Sequence, residues 1–69
     1  MPLSMLDPGQ EGMIRQVNGK DEVRSHLAQL GFVVGAQVRV VNSLGGNLIL
    51  QVKDSRVALD RAMANRIIV

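Results

Sequence analysis

Apolar residues follow two different periods along this chain, and the change of period separates one helix from a set of strands. Val23, Leu27 and Leu30 recur at i, i+4 and i+7, which is one face of an α-helix. Further on the period becomes two, because Val38 and Val40 alternate with polar neighbours. The pattern therefore predicts one helix followed by half-buried strands.

Both ends of the helix carry recognisable signals. Asp21 is the candidate N-cap residue, and Gly31 is the candidate residue just beyond the last turn. Phe32 follows directly, at the position where a Schellman ending brings an apolar side chain back onto the helix. We expect the helix to lie between Asp21 and Gly31.

Short strands surround this helix. A Gly45-Gly46-Asn47 reversal predicts a hairpin in the second half of the chain. The predicted strands cover residues 12–17, 37–41, 48–53, 57–59 and 67–69, with a helical turn over 61–64. Because closure removes the exposed edges of a sheet, we expect a mainly β fold: a small barrel of about five strands with one α-helix inserted after the first strand.

Length and composition limit what the chain can be. With 69 residues there is room for one domain and one small core. The absence of cysteine removes disulfides, thiolate metal sites and cysteine nucleophiles. Because neither a signal peptide nor a long apolar run is visible, a cytoplasmic location is the simplest expectation.

Charge gives little support to nucleic-acid binding. Eight basic against six acidic residues leave a net charge of only +2, and Phe32 is the only aromatic residue on which a base could stack. No nucleic-acid partner is expected. A nucleic-acid-binding barrel stays an alternative because most of the basic residues lie in the second half: Arg39, Lys53, Arg56, Arg61 and Arg66.

Catalytic machinery is not apparent. His26 is the only histidine, and its neighbour Ser25 points elsewhere around the helix, so no nucleophilic triad forms. We expect no enzyme activity and no catalytic residue. Glu22 and His26 are spaced i, i+4, which places a carboxylate beside an imidazole and makes them speculative ligands for a divalent metal. Two ligands do not complete a site.

A family resemblance rests on motifs spread over the whole chain. The stretch from Leu27 to Gly35, LAQLGFVVG, fits the pattern L-x-x-L-G-hydrophobic-x-x-G and resembles the ferrous iron transport protein A (FeoA) family. The opening residues 3–14 resemble the family's L-x-x-L-x-x-G-x-x-G-x-I, and residues 57–69 its closing motif. Two departures are Val34, where the family usually has proline, and Asp60, where it often has arginine.

The resemblance implies a single SH3-like domain over residues 1–69. It also implies a cytoplasmic accessory protein that binds the cytosolic part of the FeoB-type ferrous iron transporter and modulates uptake, meeting the membrane only through that partner. The same fold forms the C-terminal domain of metal-dependent repressors, so a metal-binding regulatory domain is the alternative. No cofactor is certain, although ferrous iron or another divalent transition metal is an option.

Four residues are our candidates for partner contact: Leu30, Phe32, Val33 and Val34. The segment leaving the helix carries more apolar side chains than one glycine-bounded turn should bury. The alternative is that Phe32 and one valine complete the core. Weak self-association is compatible with so small a domain.

Overall fold

The computed structural model describes all 69 residues, and its strands form two antiparallel sheets. A 3-10 helix, Leu3–Met5, opens the chain. The elements that follow are β1 (Glu11–Met13), β2 (Gln16–Val17), α1 (Asp21–Gln29), β3 (Gln37–Leu44), β4 (Asn47–Val52), β5 (Ser55–Asp60), α2 (Arg61–Ala64) and β6 (Ile67–Ile68). The larger sheet has the order β1-β3-β4-β5, and β2 pairs with β6. The mainly β prediction is confirmed.

The predicted first strand, residues 12–17, is in fact two strands in different sheets. Ile14 still bonds to the chain that leads into β3 of the larger sheet, since the Ile14 N–H donates to the Ala36 carbonyl at 2.8 Å. The next N–H, of Arg15, donates to the Ile68 carbonyl at 2.8 Å. The chain thus changes partners between adjacent residues, and the fold has six strands instead of five.

One predicted helix end is wrong and the other is confirmed. Lys20 is the N-cap residue and makes no side-chain cap, whereas Asp21 is the first helical residue and pairs with Arg24 one turn on. At the other end Gly31, with φ of +105°, lies just beyond the helix. Phe32 N–H donates to the carbonyl of Leu27 at 2.9 Å, which is the bond of a Schellman ending.

The predicted hairpin is present, with two adjustments. Its loop is Gly45-Gly46 alone, because Asn47 already pairs with Leu44 in the sheet. Gly45 supplies the positive φ, +60°, that a two-residue loop requires. Val41 is an extra residue in β3, a β-bulge that shifts the pairing after Val40. This bulge leaves Val41 half-buried.

The core lies between the larger sheet and the elements packed across it. Twelve residues are buried and all of them are apolar, while the Nε atom of the half-buried Arg66 is enclosed without a hydrogen-bond partner. Neither helix has the length and hydrophobicity of a membrane-spanning segment. The buried residues are Leu3, Ile14, Leu27, Phe32, Val38, Val40, Leu48, Leu50, Val52, Leu59, Ala64 and Ile67.

Candidate functional site

A tight turn at residues 33–36 carries the most prominent apolar side chains near α1. The Ala36 N–H donates to the Val33 carbonyl at 3.0 Å, and Gly35 has φ of +93°. Since Val34 does not have positive φ, this is the geometry of a type II turn. The Gly35 N–H also donates to the Ile14 carbonyl at 2.8 Å, which ties the turn to the neighbouring chain.

The turn separates the predicted contact residues into exposed and buried ones. Val34, at the tip, is 67% exposed and Val33 is 38% exposed. Phe32 is only 1% exposed, and Leu30 is half-buried against the core. The prediction that Phe32 touches a partner is therefore corrected, because its side chain completes the core below the Schellman ending.

Met13 is a further exposed apolar residue beside this turn, and it was not among the predicted contact residues. It is 49% exposed at the end of β1, opposite Gln37, and the next residue bonds to the turn itself. The alternation of the strand would have revealed it, because Ile14 points into the core and its neighbour must point out. We call Met13, Val33 and Val34 the turn patch.

The two speculative metal ligands lie on the exposed surface of α1. Glu22 and His26 are both solvent-exposed. No cluster of three or more histidine, cysteine, aspartate or glutamate side chains exists in the structure. A zinc-type site needs at least three protein ligands, so this pair does not by itself fit a resident metal ion. Metal binding at Glu22 and His26 stays a prediction.

The basic residues of the second half are divided among separate places. Arg39 and Arg56 flank Gln51 on the outer face of the larger sheet, along a shallow groove of about 300 Å³. The Arg56 Nε donates to the Gln51 side-chain oxygen at 3.1 Å. Lys53 lies beside this groove. Arg66 instead lies against Gly19, so the basic residues form no single stripe.

Asp60 and Arg61, at the departure from the family pattern, have structural contacts. The Asp60 carboxylate accepts a hydrogen bond from the Met63 N–H at 2.7 Å and so caps α2. The Arg61 guanidinium donates to the Ser4 carbonyl at 3.4 Å and to the Ser43 hydroxyl at 3.2 Å. Arg61 thus joins the amino-terminal segment to β3.

Comparison with known proteins relates this geometry to a family. The FeoA domain model matches residues 1–69. A protein of Methanocaldococcus jannaschii named as an Fe(2+) transport protein A is 25% identical over 68 residues, covering 99% of this chain and 83% of its own length. The crystal structure of Stenotrophomonas maltophilia FeoA complexed with zinc, described as an SH3 domain protein, is 34% identical with a TM-score of 0.83. That match covers 99% of this chain and 87% of the other.

A more distant likeness concerns the fold alone. A manganese-dependent transcriptional repressor superposes with a TM-score of 0.85 at 17% identity, covering 97% of this chain and 39% of its own. The fold is therefore shared with this repressor, in agreement with the expectation from the sequence. Because the family model spans the full length and the fold is SH3-like, the chain belongs to the FeoA family.

Proposed function

We propose that this protein is a cytoplasmic accessory protein of ferrous iron uptake, which binds the cytosolic part of an FeoB-type transporter and modulates it. Membership of the FeoA family and the name of the Methanocaldococcus relative support the link to ferrous iron. The turn patch is the surface we assign to this contact. The protein contacts the membrane only through the transporter.

Exposure of a rigid apolar surface is the observation that carries the proposal. Val34 projects at the tip of a turn whose backbone is fixed by two hydrogen bonds, to Val33 and to Ile14. Such a side chain loses little conformational entropy when a partner covers it, since valine has a restricted χ1. Apolar groups that are exposed together mark interaction sites more often than scattered ones.

Single charge insertions test the surface. Val34→Asp and Met13→Asp should each weaken binding to the purified cytosolic domain of the transporter by at least about tenfold, because a buried unpaired carboxylate is costly. Leu44→Asp is the matched control, since Leu44 is 60% exposed at the distant β3–β4 hairpin. Calorimetry measures the affinity, and ferrous iron uptake in cells measures the function.

A folded control makes the result decisive. Amide spectra should show that all three variants keep the native dispersion, because the replaced side chains are exposed. Unchanged affinity in both Val34→Asp and Met13→Asp would exclude the turn patch. Absence of any binding by the unsubstituted protein, with and without guanine nucleotide, would exclude the transporter contact itself.

A further inference from the structure

One long edge of the larger sheet has no strand beside it. β5 pairs with β4 along its whole length and with nothing on its other side. The two-residue turn Lys53-Asp54 makes Val52 and Ser55 a hydrogen-bonded pair. From there, non-hydrogen-bonded and hydrogen-bonded pairs alternate along β4 and β5. The N–H and C=O groups of Arg56 and Ala58 therefore point away from β4, and neither residue has another backbone partner.

The two faces of β5 differ in chemistry. Arg56, Ala58 and Asp60 are exposed on the outer face. On the inner face Val57 is half-buried and Leu59 is 7% exposed, both packed on the core. An added strand must therefore bring apolar side chains on one face and opposite charges on the other.

We propose that the strand which pairs with this edge is β5 of a second copy of the chain. The segment Arg56–Asp60 is complementary to itself when run antiparallel about Ala58. Each Arg56 then faces Asp60 of the other copy, and each Val57 faces Leu59 of the other copy. The two larger sheets join into one sheet of eight strands across a two-fold axis.

Backbone geometry and charge together select this register. Only residues whose peptide groups point outward can be hydrogen-bonded pairs, which limits the paired positions to Arg56, Ala58 and Asp60. A two-fold axis at Arg56 would place two arginines opposite each other, and an axis at Asp60 two carboxylates. Axes at Val57 and Leu59 also bring outward-pointing residues opposite each other, but they pair Arg56 or Asp60 with Ala58 and form no ion pair. Like charges directly opposite are destabilising, whereas the axis at Ala58 gives two opposite-charge pairs.

The side chains are also available for these pairs. Arg56 uses its Nε for the Gln51 side chain, which leaves both terminal nitrogens of the guanidinium free for a carboxylate. Asp60 uses one carboxylate oxygen for the Met63 N–H, so the other oxygen remains free. Because no carboxylate of the same chain pairs with Arg56, forming the dimer breaks no existing ion pair.

Dilution and isotope filtering test the dimer directly. Sedimentation equilibrium of the full chain between about 0.02 and about 2 mM covers the range expected for so small an interface. In a mixed labelled and unlabelled sample, the Hα of Val57 should show an intermolecular Overhauser effect to the Hα of Leu59, since non-hydrogen-bonded antiparallel pairs bring these protons together. A monomer throughout the range, or intermolecular contacts elsewhere, overturns the proposal.

Variants of the edge supply the second test. Arg56→Glu would place a glutamate opposite Asp60 of the other copy, and this like-charge pair should weaken dimerisation at least tenfold. Arg39→Glu makes the same charge change on the same sheet face, two strands away from the edge, and should weaken it less than threefold. Asp60→Asn should also weaken the dimer while it keeps the cap of α2, because asparagine caps as well as aspartate. Equal effects of Arg56→Glu and Arg39→Glu would contradict the pairing.

Removing one donor tests the backbone part of the interface. Ala58→Pro deletes the N–H at the centre of the proposed ladder without removing a bond to β4, and edge strands tolerate proline. The variant should be monomeric, and an undiminished dimer would exclude the edge. Val34→Asp should leave dimerisation unchanged, so this proposal and the transporter contact succeed or fail separately.

Discussion

Val34 occupies the position of the type II turn where proline is most favourable. Its N–H makes no backbone hydrogen bond, so proline would remove nothing from the native structure. We expect Val34→Pro to raise the free energy of unfolding by about 0.5–1 kcal/mol, because it reduces the freedom of the unfolded chain. Urea denaturation followed by far-ultraviolet circular dichroism measures the change.

The neighbouring residue provides the control for this prediction. Val33 N–H donates to the Gly31 carbonyl at 3.0 Å, and Val33→Pro deletes that bond. Val33→Pro should therefore lower the free energy of unfolding while Val34→Pro raises it. A loss of stability in Val34→Pro as well would mean that the backbone at Val34 does not have the φ that proline requires.

Single residues also show what local sequence signals can predict. The position of Gly31 was predicted correctly, because a glycine directly after apolar residues at helical spacing is typical of a helix end that requires positive φ. Asp21 was misplaced by one position, because an acidic residue favours both the cap and the first turn of a helix. Its carboxylate pairs with Arg24 instead.

At the scale of elements, α2 depends on its cap. This helix has only four residues, Arg61–Ala64, and the Asp60 carboxylate satisfies the Met63 N–H. We expect Asp60→Ala to cost about 1 kcal/mol of stability, and Asp60→Asn to cost only a few tenths of that. Thermal unfolding of both variants measures the difference. Equal losses in the two would show that the charge of Asp60, and not its cap, matters.

The exposed pair on α1 gives a second prediction at this scale. We expect ferrous iron or Zn²⁺ to bind at Glu22 and His26 only weakly, because no third ligand is close. Amide shifts in a titration should then be confined to α1. His26→Gln should abolish those shifts, and the exposed neighbour Ser25→Ala should not. If no amide responds selectively, the pair is not a metal site.

Elements were predicted less well where pairing depends on distant residues. The run from residue 12 to residue 17 has the composition of one strand, and nothing local marks the change of partner between Ile14 and Arg15. The break arises because Ala36 and Ile68, far apart in sequence, pair with adjacent residues. The bulge at Val41 was missed for the same reason, since it appears only against β4.

For the whole molecule, the small core decides which variants can report on function. Twelve buried residues support the fold, and a domain of this size holds only about 3–5 kcal/mol of net stability. The apolar residues 30–34 could not be divided into core and surface from the sequence, because the packing of α1 on the sheet determines which side chains are enclosed. In the structure Phe32 is buried in the core, whereas Val33 and Val34 are exposed.

Phe32→Ala therefore tests the fold and not the turn patch. Deleting a buried phenylalanine costs about 3–5 kcal/mol, which equals the whole stability of such a domain. We expect Phe32→Ala to be largely unfolded at 25 °C, with collapsed amide dispersion, whereas Phe32→Leu stays folded. If Phe32→Leu keeps full affinity for the transporter domain while Val34→Asp loses it, partner contact lies outside the core. Loss of affinity in a folded Phe32→Leu protein would instead return Phe32 to the contact surface.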